Sequence, residues 1–282
     1  MIVRWGLEEL TGLLRELGIE RPLLVTSRRW TSVHLPVAKR FAGVRPHVPA
    51  DSVAAALAAV READGLVALG GGSAIDTAKA VSAETHLPVV AIPTTYSGAE
   101  WTPTFGVRDE ERGVKGGGGG ANVAGIVYDP ELTLTLPEAE TGGTALNALA
   151  HSAEALYVKG RNTEADREAL AGATLIADAL PRVLAAPQEA GGRRDLLEGA
   201  MHAGAALAGA GLGLGHAMAQ ALGGRYGIPH GALNAVCLPP ALRFNEPVAA
   251  AEIARFGDAV GSADAAGKVE ELARLAGYSR LR

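Results

Sequence analysis

The chain has 282 residues, 48% of them apolar and only 4% aromatic, with 37 glycines and a formal net charge of -5. That length holds two modest domains or one large one, and the core it supports is built from Ala, Leu and Val with many turns. Lys and Arg are spread along the chain without a basic stripe, which argues against nucleic acid, and no stretch reaches the roughly 20 uninterrupted apolar residues of a membrane span.

Cys237, the only cysteine, lies in the apolar run NAVCLPPAL and reads as a buried, inert thiol. A lone cysteine permits no intrachain disulfide and suits a reducing compartment. The N-terminal MIVRWGLEELTGLL carries charges inside its apolar pattern and lacks the core of a signal peptide. These features predict a soluble, cytoplasmic protein that acts on a small molecule, with no membrane or nucleic-acid partner.

In chain order, LEELTGLLRELG predicts a helix ended by Gly18, and RPLLVTS a buried strand over Pro22 to Ser27. VHLPVAKRFAG predicts a helix and RPHVP a short strand or loop. Asp51 and Ser52 are the expected caps of a helix over VAAALAAVREA. GLVALGGGS predicts a strand running into a glycine turn, and AIDTAKAVSAE the helix behind it. LPVVAIPTT and AGIVYDP supply two more strands. The glycine run Gly116 to Gly120 is expected to be a loop tip. Strands alternating with helices argue for a parallel sheet covered on both faces. After Pro137 helical patterns follow one another without a convincing strand. The predicted fold is therefore an α/β domain over 1–137 and an all-helical domain over 138–282, with a ligand cleft between domains.

Gly70, Gly71, Gly72 and Ser73 follow the strand LVAL and open a helix. Glycines there let the backbone approach a phosphate, and the N–H groups of the first helical turn point at it. Ser73 is placed to cap the helix or donate to the phosphate. Asp76 suits a helix N-terminus, while Lys79 either reaches back to the ligand or pairs with Asp76. A second polar turn, PTTYSGAEWTPTFGV, follows the strand VVAI and offers Thr94, Thr95 and Ser97 at a strand's carboxyl end. Together the two turns read as a dinucleotide site. The strand RPLLVTS ends at Thr26-Ser27-Arg28-Arg29, without the acid that would hold a ribose 2′-hydroxyl. With Ser27 in that place and arginines beside it, NADH and NADPH are both expected cofactors.

Asn147 and His151 are four residues apart and share a helix face, and His216 and His230 each stand near a helix start marked by glycine or proline. Three imidazoles suit Zn2+ or Fe2+, which would polarise a carbonyl. The fourth position, however, is an amide. It ligates more weakly than a carboxylate and supplies no negative charge to offset a dication. Without metal, the three histidines can still donate hydrogen bonds or protons to an anionic substrate.

GGGSAIDTAKA, the PTT turn, VYDPELTLTLP, NALAHSAEALY and GHAMAQALGGRYGIPHGALNA together resemble the iron-containing alcohol dehydrogenase superfamily, in order through nearly the whole chain. The resemblance implies a Rossmann-like NAD(P)-binding domain, a helical domain of the dehydroquinate synthase-like type and an active site between them. In metal-dependent members the ligands are Asp, His, His and His, at positions matched here by Asn147, His151, His216 and His230. Asn at position 147 and Thr94-Thr95-Tyr96-Ser97-Gly98-Ala99-Glu100-Trp101-Thr102-Pro103 resemble the maleylacetate reductase branch. This likeness implies metal-independent reduction of maleylacetate to 3-oxoadipate by NADH, and a homodimer as the expected assembly. Two positions depart from the branch. Gln220 stands where it has a histidine, and His230-Gly231-Ala232-Leu233-Asn234 is closer to the metal-dependent members. A metal-dependent alcohol dehydrogenase using Fe2+ or Zn2+ is the alternative. A third reading is a catalytically weak nucleotide-binding protein, because SRLR at 279–282 resembles a family element cut short.

Overall fold

The computed structural model describes residues 1–109 and 114–278. The SRLR segment lies outside the described residues. Two compact units are present. The described residues of Met1–Thr94 and Ala99–Asp129 form one. Thr95–Gly98 and the described residues from Pro130 onward form the other. The helical unit thus begins at Pro130, ahead of the expected boundary at 137, and it also takes in a short stretch of the second polar turn.

The first unit is an α/β layer structure. Strands β1 (Ile2–Trp5), β2 (Pro22–Thr26), β3 (Lys39–Phe41), β4 (Gly65–Gly70), β5 (Val89–Pro93) and β8 (Val123–Tyr128) form one sheet in the order β1-β8-β5-β4-β2-β3. Every pairing in it is parallel. The central strands are continuous apolar runs because helices cover both faces of such a sheet. Leu23, Leu24, Val25, Leu66, Val67, Leu69 and Val89 through Ile92 are fully buried. Helices α1 (Leu10–Glu16), α2 (Ala50–Ala59) and α3 (Gly72–Thr85) belong to this unit.

Several local expectations are corrected. VHLPVAKRFAG is not a helix: Pro36 interrupts it, and Lys39–Phe41 pairs instead with β2 in the register Leu23↔Lys39. The N-terminal strand β1 carried no expectation; it pairs with β8 at the sheet edge. Helix α2 starts behind Pro49 without a side-chain cap. Asp51 bonds Arg45 instead, and Ser52 Oγ donates to Gly43 O at 2.8 Å. The glycine run is not a loop tip. Gly116–Gly118 belong to β7 (Val114–Gly118), antiparallel to β6 (Phe105–Asp109). Period-2 patterning is invisible in a strand whose side chains are hydrogen atoms.

In the second unit, α4 (Glu138–Ala155) is buried at every residue from Thr141 to Ala155 except Thr144, the mark of a helix at the centre of a bundle. Helices α5 (Thr163–Ala185) and α6 (Ala190–Ala210) approach each other through small residues. A Cβ on Gly172 would meet the backbone N of Ala203 at 2.9 Å. Helix α7 (Leu214–Tyr226) precedes α8 (His230–Ala259), which holds Pro239, Pro240 and Pro247 and departs from helical geometry at Ala249. Two helical segments therefore meet there across a kink, as the separate patterns PHGALNAVCLPPALRFN and VAAAEIARFGDAVG predict. Helix α9 (Ala265–Leu275) closes the described bundle. Among the described residues, no helix is long and apolar enough to cross a membrane.

Candidate active site

In the α/β unit, the predicted dinucleotide residues meet at one sheet end. Strands β5, β4 and β2 are neighbours, and their carboxyl ends bring Thr94, Gly70 through Ser73, and Ser27 to the same edge. Thr94 N donates to Gly70 O at 3.1 Å, and Thr26 Oγ1 to Leu69 O at 2.7 Å, so the three turns are tied together. Open parallel sheets bind ligands at such an edge. Gly70 has φ +148°, and a Cβ there would lie 2.8 Å from that of Ala74, so only glycine lets α3 start this close to the strand. The N-cap of α3 is Gly71 without a side-chain bond, so Ser73 is not the cap.

Asp76 and Lys79 serve the protein itself. Lys79, 1% exposed, pairs with Asp76 Oδ1 at 2.9 Å and donates to Ala99 O at 2.6 Å and to Thr104 O. Asp76 Oδ2 accepts from Gly106 N at 3.2 Å. Of the two roles open to Lys79, the structure shows the pairing. Deeper in this unit, Trp101 Nε1 donates to Tyr128 Oη, which donates to Glu100 Oε1, both at 2.8 Å. Burial raises both the Glu100 carboxyl and the Tyr128 phenol above their ordinary values.

In the helical unit, the quartet converges. Asn147 and His151 lie one turn apart on α4, His216 in the first turn of α7, and His230 is the first residue of α8. The rings of His151 and His216 stack at 4.6 Å and 14°, and those of His216 and His230 lie 5.8 Å apart at 51°. Burial, reinforced by His216 and His230, pushes His151 well below the ordinary histidine range, so it is neutral at neutral pH. His151 Nδ1 and His216 Nε2 are buried without hydrogen-bond partners.

Thr95 and Ser97, grouped by sequence with the dinucleotide turns, are assembled with this cluster. Asn147 Nδ2 donates to Ser97 O at 3.1 Å, and its Oδ1 accepts from Asn234 Nδ2 at 2.5 Å. Both ends of the amide are therefore committed to the protein. Tyr96 N donates to Thr144 Oγ1 at 3.3 Å, and Gly98 packs on His151. Thr95 Oγ1 and Ser97 Oγ are buried without partners.

Three residues at this site escaped the reading of the sequence. Glu154, fully buried one turn beyond His151, accepts from Gly213 N at 2.8 Å and lies 2.7 Å from His216 Nδ1. Asn234 locks Asn147. Arg193, 1% exposed, donates to Tyr96 Oη at 3.1 Å, Thr141 Oγ1 at 2.9 Å and Pro187 O at 3.0 Å, which fixes the 95–98 stretch against the bundle.

The family fold raises the question of iron. A shared ion needs in-plane nitrogen lone pairs that converge, with a tetrahedral or octahedral spread. The nearly parallel planes of His151 and His216 do not offer that, and the amide oxygen of Asn147 faces Asn234. Among the described residues, no three His, Cys, Asp or Glu side chains are grouped to hold a metal ion. These residues, as arranged, do not fit the group.

The chain matches the iron-containing alcohol dehydrogenase family over residues 4–124 and the C-terminal region of the Fe-containing alcohol dehydrogenase family over residues 141–281. It belongs to that family, and it is an oxidoreductase by that membership. Its relatives include maleylacetate reductase 1 of Cupriavidus pinatubonensis, 38% identical over 93% of this chain and 77% of the relative. Maleylacetate reductase of Burkholderia cepacia is 38% identical over 98% of this chain and 82% of the relative. Among solved structures, maleylacetate reductase from a Rhizobium species superposes with a TM-score of 0.92 at 32% identity, covering 98% of this chain and 83% of the other.

Proposed function

We propose that the protein is a cytoplasmic, NAD(P)H-dependent reductase of the maleylacetate reductase type that works without a metal ion, as a homodimer. The single observation that carries this reading is the amide lock at Asn147. Where a metal-dependent site needs an anionic ligand, a neutral side chain is held at both ends by Ser97 and Asn234. Asn234 also accounts for one departure from the branch pattern, since it supplies the donor to Asn147. The other, Gln220, is exposed on α7.

The α/β unit contributes the glycine turn and Thr94 for the cofactor's phosphates. The helical unit contributes neutral N–H donors and a proton source. In the reduction, hydride adds to the alkene carbon β to the ketone, and negative charge moves to the ketone oxygen. Imidazole N–H groups in a desolvated pocket stabilise such an oxygen with little reorganisation. The carbon next to the ketone then takes a proton. The diacid substrate is also better received by a neutral amide and imidazoles than by a carboxylate at position 147.

The test is NADH consumption with maleylacetate set against a panel of aldehydes. Turnover of maleylacetate with little on aldehydes is the expected outcome. The reverse preference would establish the alcohol dehydrogenase reading, which the HGALNA segment favours.

A further inference from the structure

The first turn of α7 is built around a buried anion from another helix. Gly213 precedes the helix without a side-chain cap, and its N–H, with those of Gly215 and His216, points at the Glu154 carboxylate at 2.8, 2.5 and 3.4 Å. A Cβ on either Gly213 or Gly215 would come within 2.9 Å of that carboxylate, so the GLGLGH spacing is shaped to admit it. A ring atom, His216 Nδ1, also lies 2.7 Å from the carboxylate. A cap needs only the backbone contacts; the ring contact does something further.

We propose that Glu154 is a positioning residue for the reaction: it holds His216 with a proton on Nδ1 and so makes Nε2 the nitrogen that exchanges a proton with the substrate. The inference rests on the reductase reading given above. A carboxylate surrounded by N–H donors is an acceptor only, and a bare Nδ1 facing it would set lone pair against lone pair. The remaining nitrogen, Nε2, is buried with no protein partner, which in a native site calls for an explanation. The His216 ring thus has a fully buried carboxylate on its Nδ1 side and an open nitrogen on the other.

In the reduction, a bound reduced nicotinamide would supply the hydride, with its two electrons, that the carbon β to the ketone receives. The enolate carbon takes a proton delivered through His216 Nε2. Nδ1–H stays on Glu154 throughout, and the proton that passes through Nε2 comes from solvent. The consumed species are the substrate, the reduced nicotinamide cofactor and one proton.

Nitrogen NMR of the intact protein labelled in its histidine rings, with His216 assigned from the His216→Gln variant, reads the proton directly and needs no substrate. A protonated Nδ1 on His216 is expected; an unprotonated Nδ1 overturns the proposal. Glu154→Gln supplies the kinetic arm, since its amide can donate to Nδ1 and move the proton to Nε2. The expected loss in kcat is between about 10²- and 10⁴-fold, with the Kd for NADH unchanged and partial recovery in Glu154→Asp. A folded Glu154→Gln protein with kcat near that of the parent also overturns it. Should that variant not fold, the Nδ1 result decides. Should the parent fail to turn over maleylacetate, the reductase reading falls while the Nδ1 result still judges Glu154.

Discussion

The substitution Asn147→Asp tests the amide lock through a proton. The native side chain is 5% exposed, and its Nδ2 donates to Ser97 O at 3.1 Å. If the introduced carboxyl ionised, it would put a carboxylate oxygen against that carbonyl; in its protonated form it could donate to the carbonyl and keep the contact. Burial therefore raises the introduced carboxyl above the roughly 3.9 of the unfolded chain. A group raised in the folded state adds full stability below its unfolded value and loses it as pH rises through its folded value. Keeping the new carboxyl neutral costs at most about 1.4 kcal/mol per pH unit above 3.9, so about 5 kcal/mol at pH 7.5 and about 1.5 kcal/mol at pH 5. Urea denaturation of both proteins in EDTA at the two pH values measures the difference. The variant should lose at least about 2 kcal/mol more, relative to the parent, at pH 7.5 than at pH 5. A pH-independent difference, or none, would show that the amide is not held as described.

Because burial lowers His151, the unfolded chain takes up a proton below about pH 6.5 that the folded site refuses. Stability is therefore expected to fall as pH drops from about 6.5 toward the folded value, and His151→Gln should flatten that slope in urea melts; an unchanged slope would contradict it. Lys79→Met strips one carboxylate and two carbonyls of their buried donor and should cost about 2–4 kcal/mol by urea denaturation, whereas a loss under about 1 kcal/mol would mean that the pairing carries little stability. With Ser27 and arginines after β2 in place of an acid, kcat/KM for NADH and NADPH should agree within about tenfold, and a large preference for NADH would refute that reading.

Much of this was legible in the sequence because its signals are local. VVAI and LVAL are unbroken apolar runs, which buried parallel strands require, and GGGS marks the turn between strand and helix. The four-residue spacing of Asn147 and His151 gave their common face, and the glycine and proline before His216 and His230 gave the helix starts. What was missed depends on distant partners. Lys39–Phe41 is a strand only because β2 lies beside it, and Gly116–Gly118 has no side chains from which to read a period. Glu154 stood in view as an acid inside an apolar helix, but its purpose depends on Gly213 and Gly215 some 60 residues away. Asn234 lay inside a turn that read as contrary to Asn147, and only the fold makes the two a pair. Asp76 carries the right chemistry for a helix N-terminus beside a phosphate, and only the fold shows Lys79 and Gly106 N on its carboxylate.

The central claim is reduction by a histidine cluster that uses no metal. The most direct measurement is the metal content of protein purified without chelators, alongside its NADH-dependent turnover of maleylacetate before and after EDTA. The account predicts iron and zinc well below one per chain and turnover unchanged by EDTA. Stoichiometric metal, with activity lost to EDTA and restored by Fe2+ or Zn2+, would contradict it.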